Sequence, residues 1–368
     1  MAGPDSMVSL LRPVLADDPR FRGYLPRNRW TLCVGAGISR GLSPTWSELA
    51  HVLVNEAFRL TLDTATFEEM VGKSGWTLDA WIQAAASEFD QRGRTPAEFV
   101  DLIETVLYST VRLKAKGCKF ERYLSTVLNF PKNAPKDYVV EICDFLDASF
   151  SDSSLIQVAQ FLIRAAKCDR APLAVITFNA DTFLETYIDL FLRREHYLGP
   201  GPHSHPKYYF SSVSRSGEDS SRKIPIFHCH GSVTPLYRTG KKPYDARDRL
   251  IFLEQEYLAT LSNRASWAQT VFLFHAQSTK LAFCGWSMSD TNIRRWMSAI
   301  ELERGIDKKL LRKGTIVNPE HIWIRPKPAS TAEEAIYLAS LLHLGVRPAW
   351  IPAWDTLERS LANLGAVP

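Results

Sequence analysis

Four short stretches hold the residue types that could do chemistry. "WTLCVGAGISRGLSPTW" (30–46) stops an apolar run at Gly35 and follows it with Ala36, Gly37 and Ser39. A strand that ends in G-x-G and leads into a helix presents backbone N–H groups and a helix N-terminus to a pyrophosphate. The dinucleotide fingerprint G-x-G-x-x-G is not completed, because Arg40 stands where its third glycine belongs. A plain Gly-rich turn is the competing reading. "ITFNADTFLE" (176–185) places Asn179 and Asp181 where a strand hands over to a helix, and ligands of open α/β sheets bind off such ends. Asp181 could equally be a helix cap. "IFHCHGS" (226–232) ends in His230 and Gly231, with His228 two residues earlier on the same side of a strand. A His-x-His pair can bind metal, but no third ligand is evident in the sequence. "LAFCGWSMSDTNIRRW" (281–296) ends in Gly285, Ser287 and Asp290, with Asn292 opening a helix. Together these junctions describe a large polar cleft for an extended, hydroxyl-rich, phosphate-bearing ligand.

The elements that must position them are legible as apolar runs. "WTLCV" (30–34), "PLAVITF" (172–178), "IPIFHCH" (224–230), "KLAFCG" (280–285), "HIWIRP" (321–326) and "RPAWIP" (347–352) are mostly continuous rather than alternating. That is the pattern of strands covered on both faces. Helical patterns separate them, which predicts an α/β fold with a Rossmann-like, doubly wound and mostly parallel sheet. The stretch from 47 to 167 reads as helix throughout and predicts an inserted helical module. The expected division is an N-terminal helical segment over 1–29, a Rossmann-like NAD-binding part made of 30–46 and 168–368, and the module between. The Gly/Pro/Ser-rich stretch 199–223 reads as a mobile loop.

Composition excludes several classes. The chain has 368 residues, 45% hydrophobic and 23% charged, an ordinary globular balance. Forty-four basic against 40 acidic side chains leave a net +4, too little to indicate direct, sequence-specific nucleic-acid binding. The six cysteines include no C-x-x-C pair and no zinc-ribbon spacing, a usage that fits a reducing cytoplasm. No apolar stretch approaches the ~20 residues of a membrane span, and the N-terminus does not read as a signal peptide.

In this order, "GAGIS…GLSPTW", "TFNAD", "HCHG" and "CGWSMSDTNI" resemble the sirtuin-like superfamily. They are more similar to its bacterial branch of NAD-consuming defence proteins, which includes HerA-associated sirtuin-like proteins, than to the protein deacylases. The resemblance covers the Rossmann-like part from about residue 30 onward; the module and the 199–223 loop carry no matching motif. It implies that Gly35, Ala36 and Gly37 cradle the NAD pyrophosphate with Ser39 nearby. It implies further that Asn179 holds the nicotinamide ribose and the attacking water, and that Asp181 meets the carboxamide. His230, followed by Gly231, would be the general base, and Gly285, Ser287 and Asp290 would bind the adenosine half. NAD would be a substrate rather than a resident cofactor. Deacylase sirtuins build a structural zinc site from two cysteine pairs between the histidine and the later glycine motif; here that interval holds only Cys284, so no zinc is expected. "TFNAD" replaces the more usual "TTNYD", so Phe178 and Ala180 alter the shape around Asn179.

The leading expectation is an NAD+ glycohydrolase acting as a toxic effector in anti-phage defence. It would be held inactive until triggered, and regulated by homo-oligomerisation and a partner such as a HerA-type hexameric ATPase; the resemblance also implies Argonaute-type or nuclease partners for other members of the branch. The alternatives are a catalytically silent scaffold that binds NAD or ADP-ribose, and a protein deacylase or ADP-ribosyltransferase.

Overall fold

The computed structural model describes residues 13–199, 207–215, 223–235, 250–262, 266–310 and 321–368. Within them, eight strands form one all-parallel sheet: β1 (Val14–Leu15), β2 (Trp30–Val34), β3 (Ala174–Thr177), β4 (Phe210–Val213), β5 (Ile224–His228), β6 (Lys280–Cys284), β7 (His321–Pro326) and β8 (Val346–Ile351). Their spatial order is β1-β8-β7-β6-β2-β3-β5-β4. The chain starts the central sheet at β2, builds outward through β3 and β5, then crosses back to β6 and builds the other way. The reversal lies between β2 and β6, paired Trp30 to Lys280 through Val34 to Cys284. In doubly wound sheets that crevice is where ligands bind. Because every strand is parallel, the loops after β2, β3, β5 and β6 all leave from the same edge.

All five residues of β2 are buried, which explains its unbroken apolar run. One face of the sheet carries Leu32, Val175, Ile226 and Ile322 into the main core; the other carries Cys33, Ile176, Phe283 and Trp323 into a second. Between β2 and β3 the described structure is helical, from Trp46–Phe58 to Ser154–Lys167. The first of these helices starts at a capping box, in which Glu48 N–H donates to Thr45 Oγ1 at 3.3 Å and Thr45 N–H donates to Glu48 Oε2 at 2.6 Å.

Three sequence expectations change. The helix Ser154–Lys167, grouped above with the module, packs on the sheet: the Phe161 ring lies 6.1 Å from Trp30 and against Gly365 of the C-terminal helix Leu357–Gly365. It is the crossover helix from β2 to β3. The N-terminal segment is not helical where it is described. Val14–Leu15 adds an edge strand to β8, followed by one 3-10 turn at Pro19–Phe21, and prolines at 13, 19 and 26 deny a longer helix its N–H donors. Finally, the 199–223 stretch holds β4, in register with β5 from Phe210–Ile224 to Val213–Phe227; the rest of that stretch beyond 207–215 and Lys223 lies outside the described residues. No described helix is long and apolar enough to cross a membrane.

Candidate active site at the carboxyl edge of the sheet

The loops after β2 and β6 close on each other across the reversal point. Gly35 N–H donates to Cys284 O at 3.0 Å, and Gly37 N–H donates to Gly285 O at 2.8 Å. A Cβ on Gly37 would sit 2.6 Å from Gly285 O, and one on Gly285 would sit 2.5 Å from Ile38 N, with Gly285 at φ +66. These glycines therefore serve a backbone-to-backbone seam. The expected pyrophosphate donors Gly35 and Gly37 have their N–H groups engaged there, and Ala36 opens the 3-10 turn Ala36–Ser39 above it.

The loop after β3 is tied to this seam through Ser39. Ser39 Oγ donates to Asp181 Oδ2 at 3.1 Å, and Asn179 Nδ2 lies 3.5 Å from the same hydroxyl. Asp181 Oδ1 accepts from Phe183 N–H at 3.1 Å, at the start of the helix Phe183–Leu198. One oxygen of Asp181 thus meets the helix start and the other meets Ser39. Burial raises its pKa to about 6, against the hydrogen bonds from Phe183 and Ser39.

β5 ends at His228, and the chain turns there, with Gly231 N–H on His228 O at 3.1 Å. The two histidines therefore part company. His228 Nε2 lies 2.8 Å from Glu185 Oε1. Burial lowers its pKa, but the Glu185 carboxylate outweighs that and raises it overall. His230 sits between two rings instead, with Phe178 edge-on at 4.5 Å and Tyr257 at 5.0 Å, and the Tyr257 hydroxyl 3.3 Å from its Nδ1. Burial pushes His230 down to about 3, so its imidazole is neutral. Two backbone bonds lock this turn to the β3 loop: Cys229 N–H to Thr177 O at 2.9 Å, and Val233 N–H to Ala180 O at 2.7 Å.

The loop after β6 contributes less directly. Ser287 Oγ pairs with Ser289 Oγ at 2.6 Å on the surface. Asp290 caps its own helix, accepting from Asn292 N–H at 2.8 Å and Ile293 N–H at 3.1 Å; burial raises its pKa against those bonds. Asn292 is buried, and its Oδ1 has no partner among the described residues.

The structure thus brings Gly35, Gly37 and Gly285 together, and Ser39, Asn179 and Asp181 together. His230 and Gly231 join them through the backbone bonds between the β3 and β5 loops. Ser287 and Asp290 stay on the rim of the β6 loop. Sequence reasoning named Phe178 but not the aromatic wall it belongs to: Phe178 also meets Trp286 at 5.2 Å, and Tyr257 closes the other flank of His230. It also passed over the module. Asp79, from the helix Leu78–Gln91, accepts from Trp46 Nε1 at 3.1 Å. Its pKa is raised by burial, with the charges of Asp290 and Glu254 adding to the effect. Phe178 and Trp286 sat inside quoted motifs; nothing in the spacing of Tyr257 or Asp79 marks them.

No group of three or more His, Cys, Asp or Glu side chains poised to hold a metal ion occurs among the described residues. The chain matches no curated protein. It does match a family, the SIR2-like domain, over residues 173–343. The match runs from β3 through β7 to the helix Thr331–Leu342, and so takes in the loops that carry Asn179, His230 and Asp290. It leaves out β2 with its glycine loop and the helical module. SIR2-like domains use NAD. Over residues 173–343 the chain is similar to SIR2-like domains, and that similarity covers the part of its sheet that holds the candidate catalytic groups.

Proposed function

We propose that this chain hydrolyses NAD+ to nicotinamide and ADP-ribose at the carboxyl edge of β2, β3 and β5. The observation that carries the reading is the junction of the β3 and β5 loops. Val233 N–H on Ala180 O and Cys229 N–H on Thr177 O set the Asn179 amide and the His230 imidazole on one edge of the sheet, beside the buried Asp181. The groups present suit the substrate. A carboxyl, an amide, a neutral imidazole and the unpartnered amide oxygen of Asn292 offer acceptors and donors to a ligand rich in hydroxyls. The lack of any cysteine from residue 231 to 283 favours hydrolysis over the deacylase chemistry of zinc-bearing relatives.

The bond from nicotinamide to ribose is activated by the ring's positive charge. As it breaks, its electron pair returns to the ring, and positive charge develops on the ribose. An ionised Asp181 carboxylate stabilises that charge in a low-dielectric site. Water adds to the cationic ribose carbon, and its proton passes to the neutral His230. With so low a pKa in this conformation His230 is a weak base, so the burden falls on electrostatic stabilisation of the cation.

The described conformation is closed. Ser39, His230 and Asp181 are only 2%, 4% and 7% exposed, and Phe178 and Tyr257 press on the imidazole. A ribose reaches His230 only when one of these rings turns away. That supports an effector kept silent until triggered. We place it in anti-phage defence, assembled as a homo-oligomer and activated by a partner such as a HerA-type hexameric ATPase. A monomer that is fully active alone would contradict this regulation.

Nicotinamide release from NAD+, with and without the partner, tests the chemistry. The expected result is that Asn179→Ala and His230→Ala each lower it, His230→Ala only toward the lower end of roughly 10²–10⁴-fold because its imidazole is a weak base. Equal release by all three proteins would overturn the assigned roles. NAD+ binding without turnover in wild type would favour the silent-scaffold reading.

A further inference from the structure

We infer that Tyr108, supplied by the helical module, is a positioning residue for the NAD site. Its hydroxyl is the atom that clamps the Asp181 loop to the His230 loop. The inference rests on the proposed reaction but stands on its own geometry. Tyr108 lies between the helices Pro96–Leu107 and Ser109–Lys114 and is 1% exposed. Its hydroxyl donates to Val233 O at 2.7 Å and accepts from Thr182 N–H at 3.0 Å. Thr182 Oγ1, also at 3.0 Å, uses the remaining lone pair as donor, since the one phenolic proton is committed to Val233. One oxygen thereby makes all three bonds open to it.

Thr182 directly follows Asp181, and Val233 lies three residues after His230. The clamp is next to a backbone bond between the same two loops, Val233 N–H to Ala180 O. The ring is wedged at 4.8 Å from Phe183, the residue whose N–H holds Asp181 Oδ1. The side chain that does this comes from the module rather than from a strand or helix of the sheet. Reacting groups carried on two separate loops need their relative placement held to a fraction of an ångström, and a misplacement of about 1 Å costs on the order of 10²-fold in rate. The module is therefore part of the catalytic unit.

The test compares Tyr108→Phe with wild type and with a control, Tyr187→Phe. Tyr187 is an equally buried tyrosine whose hydroxyl bonds Asp147 on the flank of the sheet. Both variants lose a phenol hydrogen bond, buried at Tyr108 and partly buried at Tyr187, so both lose some thermal stability. Below their melting transitions, Tyr108→Phe is expected to lower kcat for nicotinamide release by about 10–100-fold with KM changed less than about threefold, while Tyr187→Phe leaves kcat unchanged. Amide hydrogen exchange supplies a readout that needs no turnover: residues 180–183 and 231–233 lose protection in Tyr108→Phe and keep it in Tyr187→Phe. Wild-type kcat in Tyr108→Phe, or unchanged exchange in the two loops, overturns the inference. Absence of nicotinamide release from wild type sinks the NAD+ hydrolysis reading alone, and the exchange data then decide whether Tyr108 holds the loops.

Discussion

At the scale of single residues, burial sets the protonation of the site. His230 is held neutral far below the ordinary range, whereas Asp181 keeps its proton up to about pH 6. Above that pH Asp181 is ionised and can oppose the positive charge on the ribose; below it the carboxyl is neutral. The expected pH profile of kcat/KM therefore rises through a single ionisation near 6 and stays flat above it, with no descending limb from His230 between pH 4 and 8. Asp181→Asn should lower kcat/KM by about 10²-fold and remove the step. A wild-type profile that falls as pH rises through 6 would assign the ionisation elsewhere. His228, two residues from His230 and on the same strand end, has the opposite shift because Glu185 faces it. Identical side chains in one short motif thus differ only through their neighbours.

At the scale of elements, the seam between the β2 and β6 loops joins the two halves of the sheet. Gly285→Ala would force a side chain into a left-handed backbone position, with its Cβ 2.5 Å from the Ile38 nitrogen. Each loop is anchored by its own strand, so neither can retreat freely. The expected cost is roughly 1–3 kcal/mol, read as a lower melting temperature, with activity lost even where the variant remains folded. A variant of wild-type stability and activity would show that the two loops are not in contact. The helix Ser154–Lys167 makes the complementary point, because membership of a layer is decided by what an apolar face meets. Its buried residues, Phe161 among them, meet Trp30 and the C-terminal helix.

At the scale of the whole molecule, three histidines among the described residues are buried in neutral form: His230, His275 and His321, lowered to about 3, 4 and 3 respectively, each chiefly by burial. In the unfolded chain they take up protons below about 6.5, while in the folded chain they do not. Stability is therefore complete above that pH and falls as pH drops from 6.5 toward 4. Asp181 and Asp189, both raised to about 6 by burial, act in the reverse sense over about 4–6, and the raised His228, Asp79 and Asp290 act with them; the three histidines set the sign because their shifts are larger. Urea unfolding should show lower stability at pH 5 than at pH 7. His321→Asn, which removes the imidazole that accepts from Leu281 N–H at 2.9 Å but keeps an acceptor, should reduce the difference. Equal stability at both pH values would contradict the neutral-histidine reading.

The sequence by itself determined the sheet and the edge on which chemistry gathers. Six buried parallel strands announce themselves as continuous apolar runs, because both of their faces are covered. The small and polar residues at their ends mark where the chain must turn. Local patterns could not reveal β1 or β4, since a two-residue edge strand and a strand inside a Gly/Pro/Ser-rich stretch have too little periodicity to stand out. Only the tertiary structure decided that Gly35 and Gly37 meet Gly285, that His228 faces Glu185 while His230 faces Phe178 and Tyr257, and that Tyr108 from the module reaches between the two loops. These are contacts between segments tens to hundreds of residues apart. What brings them together is the strand order of the sheet and the packing of the module on it, and neither is written in any one stretch of chain.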